Sequence, residues 1–318
     1  MVGTMKADEK RLKKRLKKKI GRTRADIIFD TINIIIMLIL LFIFIFPLYY
    51  TVIASFSDIH ELALGNVVWR PRGFTVEAYM HVFHNDQIWT GYINSIIYMV
   101  GSVLYTLFIL IPAAYALSKA KMFGRMTVSW FFLITMYFSG GLIPTFILYQ
   151  NLGLVNSRLA VIVGSISVFH LIVTRTFFQN SIPDELYESV KIDGGSEYTC
   201  FFRIALPLSS AIIAVMALFT AIGSWNSFFG ALIYFTRREL FPLQLILRNI
   251  LILGEQMIQH PDFLEMGADA QEFFIMQARL AQSMRYAVVF IAAAPLLIAY
   301  PFVQRFFVKG VMIGSIKG

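Results

Sequence analysis

Six apolar runs, each long enough to cross a lipid bilayer, decide what this chain can fold into. A hydrocarbon core about 30 Å thick needs about 20 mostly apolar residues in helical form. Because lipid offers no hydrogen-bond partners, each run must satisfy its own backbone as a helix. The sequence therefore predicts an all-α membrane protein with six transmembrane helices, in one domain over 27–308. The runs occupy 27–52, 93–117, 128–149, 159–178, 206–235 and 286–308.

Glycine and proline inside these runs predict bends. Pro112 lies in the second run, and Gly140, Gly141 and Pro144 interrupt the third. Such residues are tolerated in membrane helices where neighbours take up the freed backbone groups. We therefore expect kinked helices and not straight rods.

Composition supports a membrane protein and excludes several kinds of site. The chain of 318 residues is 58% hydrophobic and only 15% charged. Its single cysteine, Cys200, rules out an intrachain disulfide and any multi-cysteine metal site. No convergent set of acids, bases or metal ligands is recognisable in the runs, so no catalytic residue and no metal site are predicted.

The distribution of basic residues predicts the orientation. The run "KRLKKRLKKKIGRTR" lies in the amino-terminal segment 1–26, and every other lysine falls in a segment on the same predicted side of the membrane. The positive-inside rule therefore favours cytoplasmic termini, with a cytoplasmic loop at 179–205 and a cytoplasmic tail at 309–318. The basic run either orients the first helix or docks on anionic lipid. It lacks interleaved aromatics, so no nucleic-acid partner is expected.

The loop "YESVKIDGGSEYTCFFRIALP" at 187–207 is charged, unlike the apolar runs on either side. Pro183 followed by two carboxylates is typical of a helix start. Gly194 and Gly195 then allow the chain to reverse. The pattern predicts a short amphipathic helix pair with Asp193, Gly194 and Gly195 at its tip. The alternative is an ordinary solvated connector.

The spacing within this loop resembles a known signature. The residues that carry it are Glu188, Asp193-Gly194, Ile204, Leu206 and Pro207. Their spacing resembles the cytoplasmic loop of binding-protein-dependent ABC importer permeases, usually written EAA, DG and I-x-LP. One departure is that Ser189 and Val190 replace the two alanines, which puts the helix packing of the loop in doubt.

Similarity to this family extends over nearly the whole chain. The stretches "WRPRGFTVEAYMHVF", "NSIIYMVGS", "GSWNSFFGAL" and "QRFFVKGVMIGSIKG" are similar to the carbohydrate-uptake, maltose-type permeases. "SGGLIP" at 139–144 and "FPLQLILRNIL" at 241–251 look closer to the branch that handles oligosaccharides and polysaccharide fragments.

The resemblance implies a type I ABC importer permease in the bacterial cytoplasmic membrane. It implies a second related permease subunit, two ATPase subunits and an extracytoplasmic solute-binding protein as partners, besides membrane lipid. The coupling residues it implies are Glu188, Asp193, Gly194, Gly195, Ile204, Leu206 and Pro207. The chain has no G-x-x-x-x-G-K-[ST] motif, so it needs no cofactor of its own, and ATP with Mg²⁺ would be bound by the ATPase subunits.

Polar and aromatic residues within or beside the runs are candidates for sugar contact, since hydroxyl-rich ligands need hydrogen bonds and stacking faces. They are Trp225, Asn226, Ser227, Asn94, Tyr98, Tyr137 and Ser139. His170 is a further ionisable group within a run, with either a packing or a substrate role. Arg175 is expected to extend to the headgroups.

Two other functions are weighed against sugar import. The chain could be an ABC importer permease for a non-carbohydrate solute, or an ATP-independent secondary carrier. A proton-coupled carrier usually shows paired carboxylates within its spans, which are missing from these runs. The resemblance also suggests that the tail 309–318 reaches the ATPase subunits, whereas the bland alternative is a frayed end.

Overall fold

A computed structural model describes residues 23–164, 166–258, 267, 272–273, 275, 284–295 and 297–298. Within them every regular element is helical, as predicted. The segment 1–22, the tail 309–318, and residues 296 and 299–308 of the sixth run lie outside the described residues.

The helices are numbered here in chain order. They are α1 Arg24–Ser55, α2 Ile59–Ala63, α3 Glu77–Phe83, α4 Asp86–Ser118, α5 Arg125–Tyr137, α6 Leu142–Asn151, α7 Leu159–Ile162, α8 Val168–Asn180, α9 Asp184–Ile192, α10 Glu197–Leu208, α11 Ser210–Trp225, α12 Phe229–Tyr234, α13 Leu243–Ile258 and α14 Met284–Pro295, with a 3₁₀ turn at Arg238–Leu240.

In the described part of the chain, two helices are long and apolar enough to cross a membrane, namely α1 and α4. Two bent pairs also qualify: α5 with α6, bent by 115°, and α10 with α11, bent by 73°. The described residues thus contain two to four candidate spans, and the count of six stays a prediction.

The helix breaks follow the local sequence only in part. The bend between α5 and α6 falls at Gly140-Gly141, as the sequence indicates, and Gly141 has a φ of 86°. The fourth predicted run is also divided, because α7 ends at Ile162 and α8 begins at Val168. The fifth run is interrupted between Trp225 and Phe229. Neither of these two interruptions was predicted.

Helix α4 is the centre of the packing. It contacts α8, α11 and α13 along its length. Near its carboxyl end Leu110 and Ala114 are buried with Leu171 of α8 and Met216 of α11. Near its amino end Ile88 is buried with Leu243 of α13. A helix of 33 residues is about 50 Å long at 1.5 Å per residue, so α4 joins two distinct clusters.

Helix α1 lies mostly apart from the other helices. Its hydrophobic side chains from Ile27 to Leu48 are nearly all exposed. Contacts occur towards its carboxyl end, where the rings of Phe42 and Phe46 lie 6.2 and 5.3 Å from that of Trp69. An apolar surface of this kind suits lipid or another membrane subunit.

Gly91 allows α4 and α13 to approach closely. An added Cβ would lie 2.4 Å from Ile246 Cδ1 and 3.2 Å from the Leu243 backbone. We expect Gly91→Val to lower the melting temperature of the purified protein, since overpacking costs about 1–3 kcal/mol. Thr90→Val, on the exposed side of the same helix, is the matched control. Equal melting of the two variants would contradict the close packing.

Candidate functional site

The predicted helix pair in the charged loop is present as α9 and α10. The chain reverses at Gly194, whose φ of +77° is a left-handed conformation that suits glycine. The N–H of Gly194 donates to Lys191 O at 3.0 Å and that of Gly195 to Val190 O at 2.8 Å. These bonds close α9 in the manner of a glycine C-cap.

The two tip glycines have different constraints. An added Cβ at Gly195 would lie 2.5 Å from Val190 Cγ1 and 2.8 Å from Val190 O, whereas nothing lies within 4 Å of one at Gly194. Within this chain Gly194 is therefore restricted by its backbone conformation and Gly195 by space. A clash between a larger side chain at Gly194 and a partner subunit stays a prediction.

The side chains of the tip are available to a partner. Glu188 and Asp193 are exposed, and Ile192 is 85% exposed. On α10, Tyr198 and Phe202 are 78% and 60% exposed. Apolar side chains exposed among charged ones mark a protein contact more than a lipid contact.

The other three predicted coupling residues lie where α10 turns into α11. Ile204 and Leu206 pack against the hydrophobic cluster that contains Leu110 and Met216. Pro207 has no backbone N–H, so the carbonyl of Arg203 lacks the i+4 donor that a regular α-helix would give it. The segment Cys200–Ala205 just before it is a π-helix, a form of helix found mostly at functional sites.

A polar and aromatic cluster, here called the joint, fixes this loop to the end of α4. Lys119 Nζ lies 3.0 Å from the centroid of the Tyr187 ring and 4.7 Å from that of Tyr115. The Tyr115 ring lies 5.0 Å from that of Phe201, and its hydroxyl donates to Glu197 Oε2 at 3.4 Å. The joint therefore touches both α9 and α10.

Electrostatics reinforce the joint at its solvent side. Lys191 Nζ lies 2.6 Å from Glu197 Oε1, which connects α9 to α10. This hydrogen bond raises the pKa of Lys191, and burial raises the pKa of Tyr187 to about 12. Because the ion pair is half exposed, it contributes at most about 1 kcal/mol. The aromatic packing and the cation–π contact carry most of the attachment.

A second polar cluster, here called the clasp, lies near the opposite end of α4. Asn94 Nδ2 donates to Glu239 O at 2.7 Å and to Phe241 O at 3.2 Å. The Tyr98 hydroxyl donates to Leu240 O at 2.8 Å, and Ser95 Oγ accepts from Leu243 N at 2.9 Å. Side chains of α4 thus hold the turn that precedes α13.

Two residues of the α6–α7 connection extend the clasp. Arg158 Nη2 donates to Asn94 Oδ1 at 3.3 Å. Asn156 Oδ1 accepts from the N–H of Thr236 at 2.7 Å and from that of Arg237 at 3.4 Å. Neither residue was predicted, because nothing in a connecting segment indicates which distant carbonyls or amides it will meet.

A hydroxyl-lined cavity of about 230 Å³ lies between α4 and α11. Positions four apart on a helix share a face, which explains why α4 and α11 each present a row of hydroxyls. Ser224 Oγ lies 3.4 Å from Ser102 Oγ across the gap. Its hydroxyl-bearing residues are Tyr98, Ser102, Thr106, Thr220, Ser224 and Ser227.

The seven predicted sugar-contact residues fall into different environments. Tyr98 and Ser227 line the hydroxyl cavity. Asn94 is 1% exposed within the clasp, and Trp225, also 1% exposed, donates from Nε1 to Ala292 O at 3.1 Å. Asn226 bonds Ile222 O of its own helix. The remaining two, Tyr137 and Ser139, are exposed at the α5–α6 bend.

The ionisable groups noted within the fourth run take packing positions. The His170 ring stacks on Phe219 with centroids 5.8 Å apart. This contact favours the packing role over the substrate role. Arg175 Nη1 donates to Ser129 Oγ at 3.4 Å, so its guanidinium contacts the neighbouring α5. Among the described residues, no group of three or more His, Cys, Asp or Glu could hold a metal ion.

Comparison with known proteins identifies the chain as a membrane subunit of a transporter. It is 38% identical over 297 residues to Protein LplC of Bacillus subtilis (strain 168), covering 93% of this chain and 97% of that protein. Over 273 residues it is 36% identical to the polygalacturonan/rhamnogalacturonan transport system permease protein YtcP of the same organism, covering 86% and 92%. No protein-family model matches.

A solved structure is similar as well. The crystal structure of a bacterial ABC transporter involved in the import of the acidic polysaccharide alginate matches with a TM-score of 0.77 and 28% identity, covering 90% of this chain and 98% of that one. The chain therefore belongs to the carbohydrate permease family of ABC transporters. It is a multi-pass protein of the bacterial cytoplasmic membrane.

The contacts of the joint predict that Lys119 stabilises the position of the α9–α10 pair. Lys119→Met keeps the aliphatic stem but removes a cation–π contact worth about 0.5–2 kcal/mol. We expect faster amide hydrogen exchange in α9, with α1 unchanged. Lys121→Met, at an exposed position two residues on, is the control. Unchanged exchange in α9 of Lys119→Met would show that the contact does not hold the loop.

The clasp predicts a penalty for removing its central donor. Asn94→Leu leaves the carbonyls of Glu239 and Phe241 without their donor, at a cost of about 1–3 kcal/mol. We expect a lower melting temperature and faster proteolysis near 238–243. Asn226→Leu, which loses only a bond within its own exposed turn, should melt close to wild type. If both variants melt alike, Asn94 does not hold this turn.

Proposed function

We propose that this chain is the permease subunit of an ATP-driven importer for oligosaccharides or polysaccharide fragments, and that it forms half of the translocation path by alternating access. The observation that carries the proposal is the helix pair α9–α10, with its exposed tip attached to the end of α4 by the joint. A partner that displaces the tip would also displace α4, because packed helices transmit displacement.

The proposed partners follow from the family and from the exposed surfaces. A second related permease would complete the path, and two cytosolic ATPase subunits would receive the tip and bind ATP with Mg²⁺. An extracytoplasmic solute-binding protein would deliver the sugar. The chain itself would have no catalytic role, since its sequence lacks a nucleotide-binding motif.

The hydroxyl cavity supports a carbohydrate in preference to an apolar solute. A hydroxyl group can both donate and accept a hydrogen bond, which is what a polyhydroxylated ligand requires. Five of the six hydroxyls are free of the clasp, whereas the Tyr98 hydroxyl already donates to Leu240 O and can only accept. The names of the relatives agree: YtcP is a polygalacturonan/rhamnogalacturonan permease, and the similar structure belongs to an alginate importer. A non-carbohydrate solute is the alternative and would need a differently lined path.

The proposal predicts that the tip couples to the ATPase subunits. In the assembled transporter, Gly194→Trp is expected to abolish the stimulation of ATP hydrolysis by the binding protein, or to release the ATPase subunits during purification. The physical reason is that an indole at the tip would no longer fit a cleft shaped for glycine.

Gly65→Trp is the matched control. Gly65 has a φ of +73° with nothing within 4 Å of an added Cβ, almost the same environment as Gly194, so both variants carry a similar backbone strain of about 1–2 kcal/mol. With a cytoplasmic amino terminus, the segment between the first and second runs, which contains Gly65, is predicted to lie outside the cytoplasm, so the ATPase subunits should stay bound. Normal stimulated hydrolysis in Gly194→Trp would disprove coupling through the tip. Active transport by this chain without ATPase subunits would favour a secondary carrier.

A further inference from the structure

A larger cavity, here called the guanidinium cavity, lies at the end of α4 remote from the joint. Its volume is about 540 Å³. It is lined by the first turn of α4, the 3₁₀ turn and α13, and its polar and aromatic lining comprises Asn85, Gln87, Arg238, Phe241, Arg248 and Asn249. None of the predicted sugar-contact residues belongs to it.

Two arginine guanidinium groups line this cavity and make it cationic. Arg238 is exposed and Arg248 is partly buried. The part of the chain that the structure describes contains no salt bridge from either residue. Arg248 lies over the Phe228 ring, 5.7 Å from its centroid, which leaves the N–H groups at its edge available. Arginine binds planar carboxylates with two parallel hydrogen bonds.

The remaining lining suits a sugar ring more than a simple inorganic anion. Three carboxamides can each donate to and accept from hydroxyl groups, and Asn85 uses only its Oδ1, which accepts from the backbone N–H of Gln87. Phe241, together with Ile246 and Ile250, supplies an apolar surface against which the C–H face of a pyranose can pack.

We propose that the guanidinium cavity binds an acidic oligosaccharide whose sugar units each carry a carboxylate. A uronic acid unit has one carboxylate, several hydroxyls and one apolar face, and the cavity offers a group for each. Two arginines line the cavity, so it has a cationic group for more than one carboxylate. This inference rests on the proposed import function, and it specifies the substrate as a uronide.

The position of the cavity suits an entry site on the path. Phe241 lines the guanidinium cavity, and the next residue, Pro242, lines the hydroxyl cavity. The turn between the two cavities is the one that Asn94 and Tyr98 hold. An acidic sugar bound by Arg238 and Arg248 would therefore be separated by this backbone turn from the row of hydroxyls on α4 and α11.

The test compares two ligands with the same sugar backbone, one with carboxylates and one in which each carboxylate is replaced by a neutral methyl ester. Trigalacturonate and its fully methyl-esterified form are titrated into the assembled transporter in nanodiscs without nucleotide. We expect the acid to bind more tightly to wild type. Arg238→Gln and Arg248→Gln should each weaken binding of the acid about 10- to 100-fold, the usual loss for a hydrogen bond to a charged group, and leave binding of the ester unchanged.

Arg237→Gln is the matched control for overall charge. Arg237 neighbours Arg238 and is exposed, but it does not line the cavity, so its loss should change the affinity for the acid little. Arg248→Lys keeps the charge and loses the paired geometry, and should give an intermediate affinity. An equal loss in Arg237→Gln, or equal binding of acid and ester to wild type, would overturn the inference.

Other occupants give distinct results. If the cavity held an anionic lipid and no sugar, both arginine variants would retain less phosphatidylglycerol than wild type, and their affinity for trigalacturonate would equal that of wild type. If it received an acidic surface of the binding protein, the variants would weaken binding-protein association but not trigalacturonate binding. Either result would refute the uronide site. Transport of neutral oligosaccharides with stimulated ATP hydrolysis, and with no binding of trigalacturonate, would refute it while leaving the proposed import function intact.

Discussion

The need to satisfy the backbone in an apolar medium governs this structure, because a helix break inside a membrane protein exposes polar groups that lipid cannot satisfy. Breaks near Gly140, Gly164 and Asn226 are tolerated only if neighbouring groups take up the free carbonyls and amides. The clasp shows the same kind of compensation in the connection between α12 and α13, just beyond the fifth run. Asn94, Ser95 and Tyr98 of α4 bond the backbone between Glu239 and Leu243, where the chain is not regularly α-helical.

Helix α4 can provide this compensation because it is itself unbroken. It passes through Pro112 without ending, and its two ends lie in different clusters of buried side chains. The joint fixes the coupling loop to one end, and the clasp fixes the turn before α13 near the other. A displacement of the α9–α10 pair is therefore linked by one continuous helix to the region around both cavities, an arrangement that suits alternating access.

The sequence predicts those features that depend on local pattern. Apolar runs gave the helical class, and the charges around Gly194-Gly195 gave the reversal between α9 and α10. Partners distant in sequence were not predictable. Asn94 and Trp225 illustrate the difficulty. A polar or aromatic residue in an apolar run is expected both for a ligand contact and for a hydrogen bond to a distant backbone group. In this chain both side chains donate to backbone carbonyls. Lys119 had a local signal, since it lies one helical turn after Tyr115.

Exposed apolar surface has two different meanings on this chain, and the neighbouring charges separate them. From residue 31 to its end at Ser55, α1 carries no charged side chain, so its exposed surface can lie in hydrocarbon without burying a charge. At the tip of the α9–α10 pair, the side chains of Ile192 and Tyr198 are also highly exposed. They lie beside three charged residues, namely Lys191, Asp193 and Glu197. Placing those charges in lipid would cost several kcal/mol each. The tip is therefore suited to water or to a water-soluble protein, whereas the exposed surface of α1 is suited to lipid or to another membrane subunit.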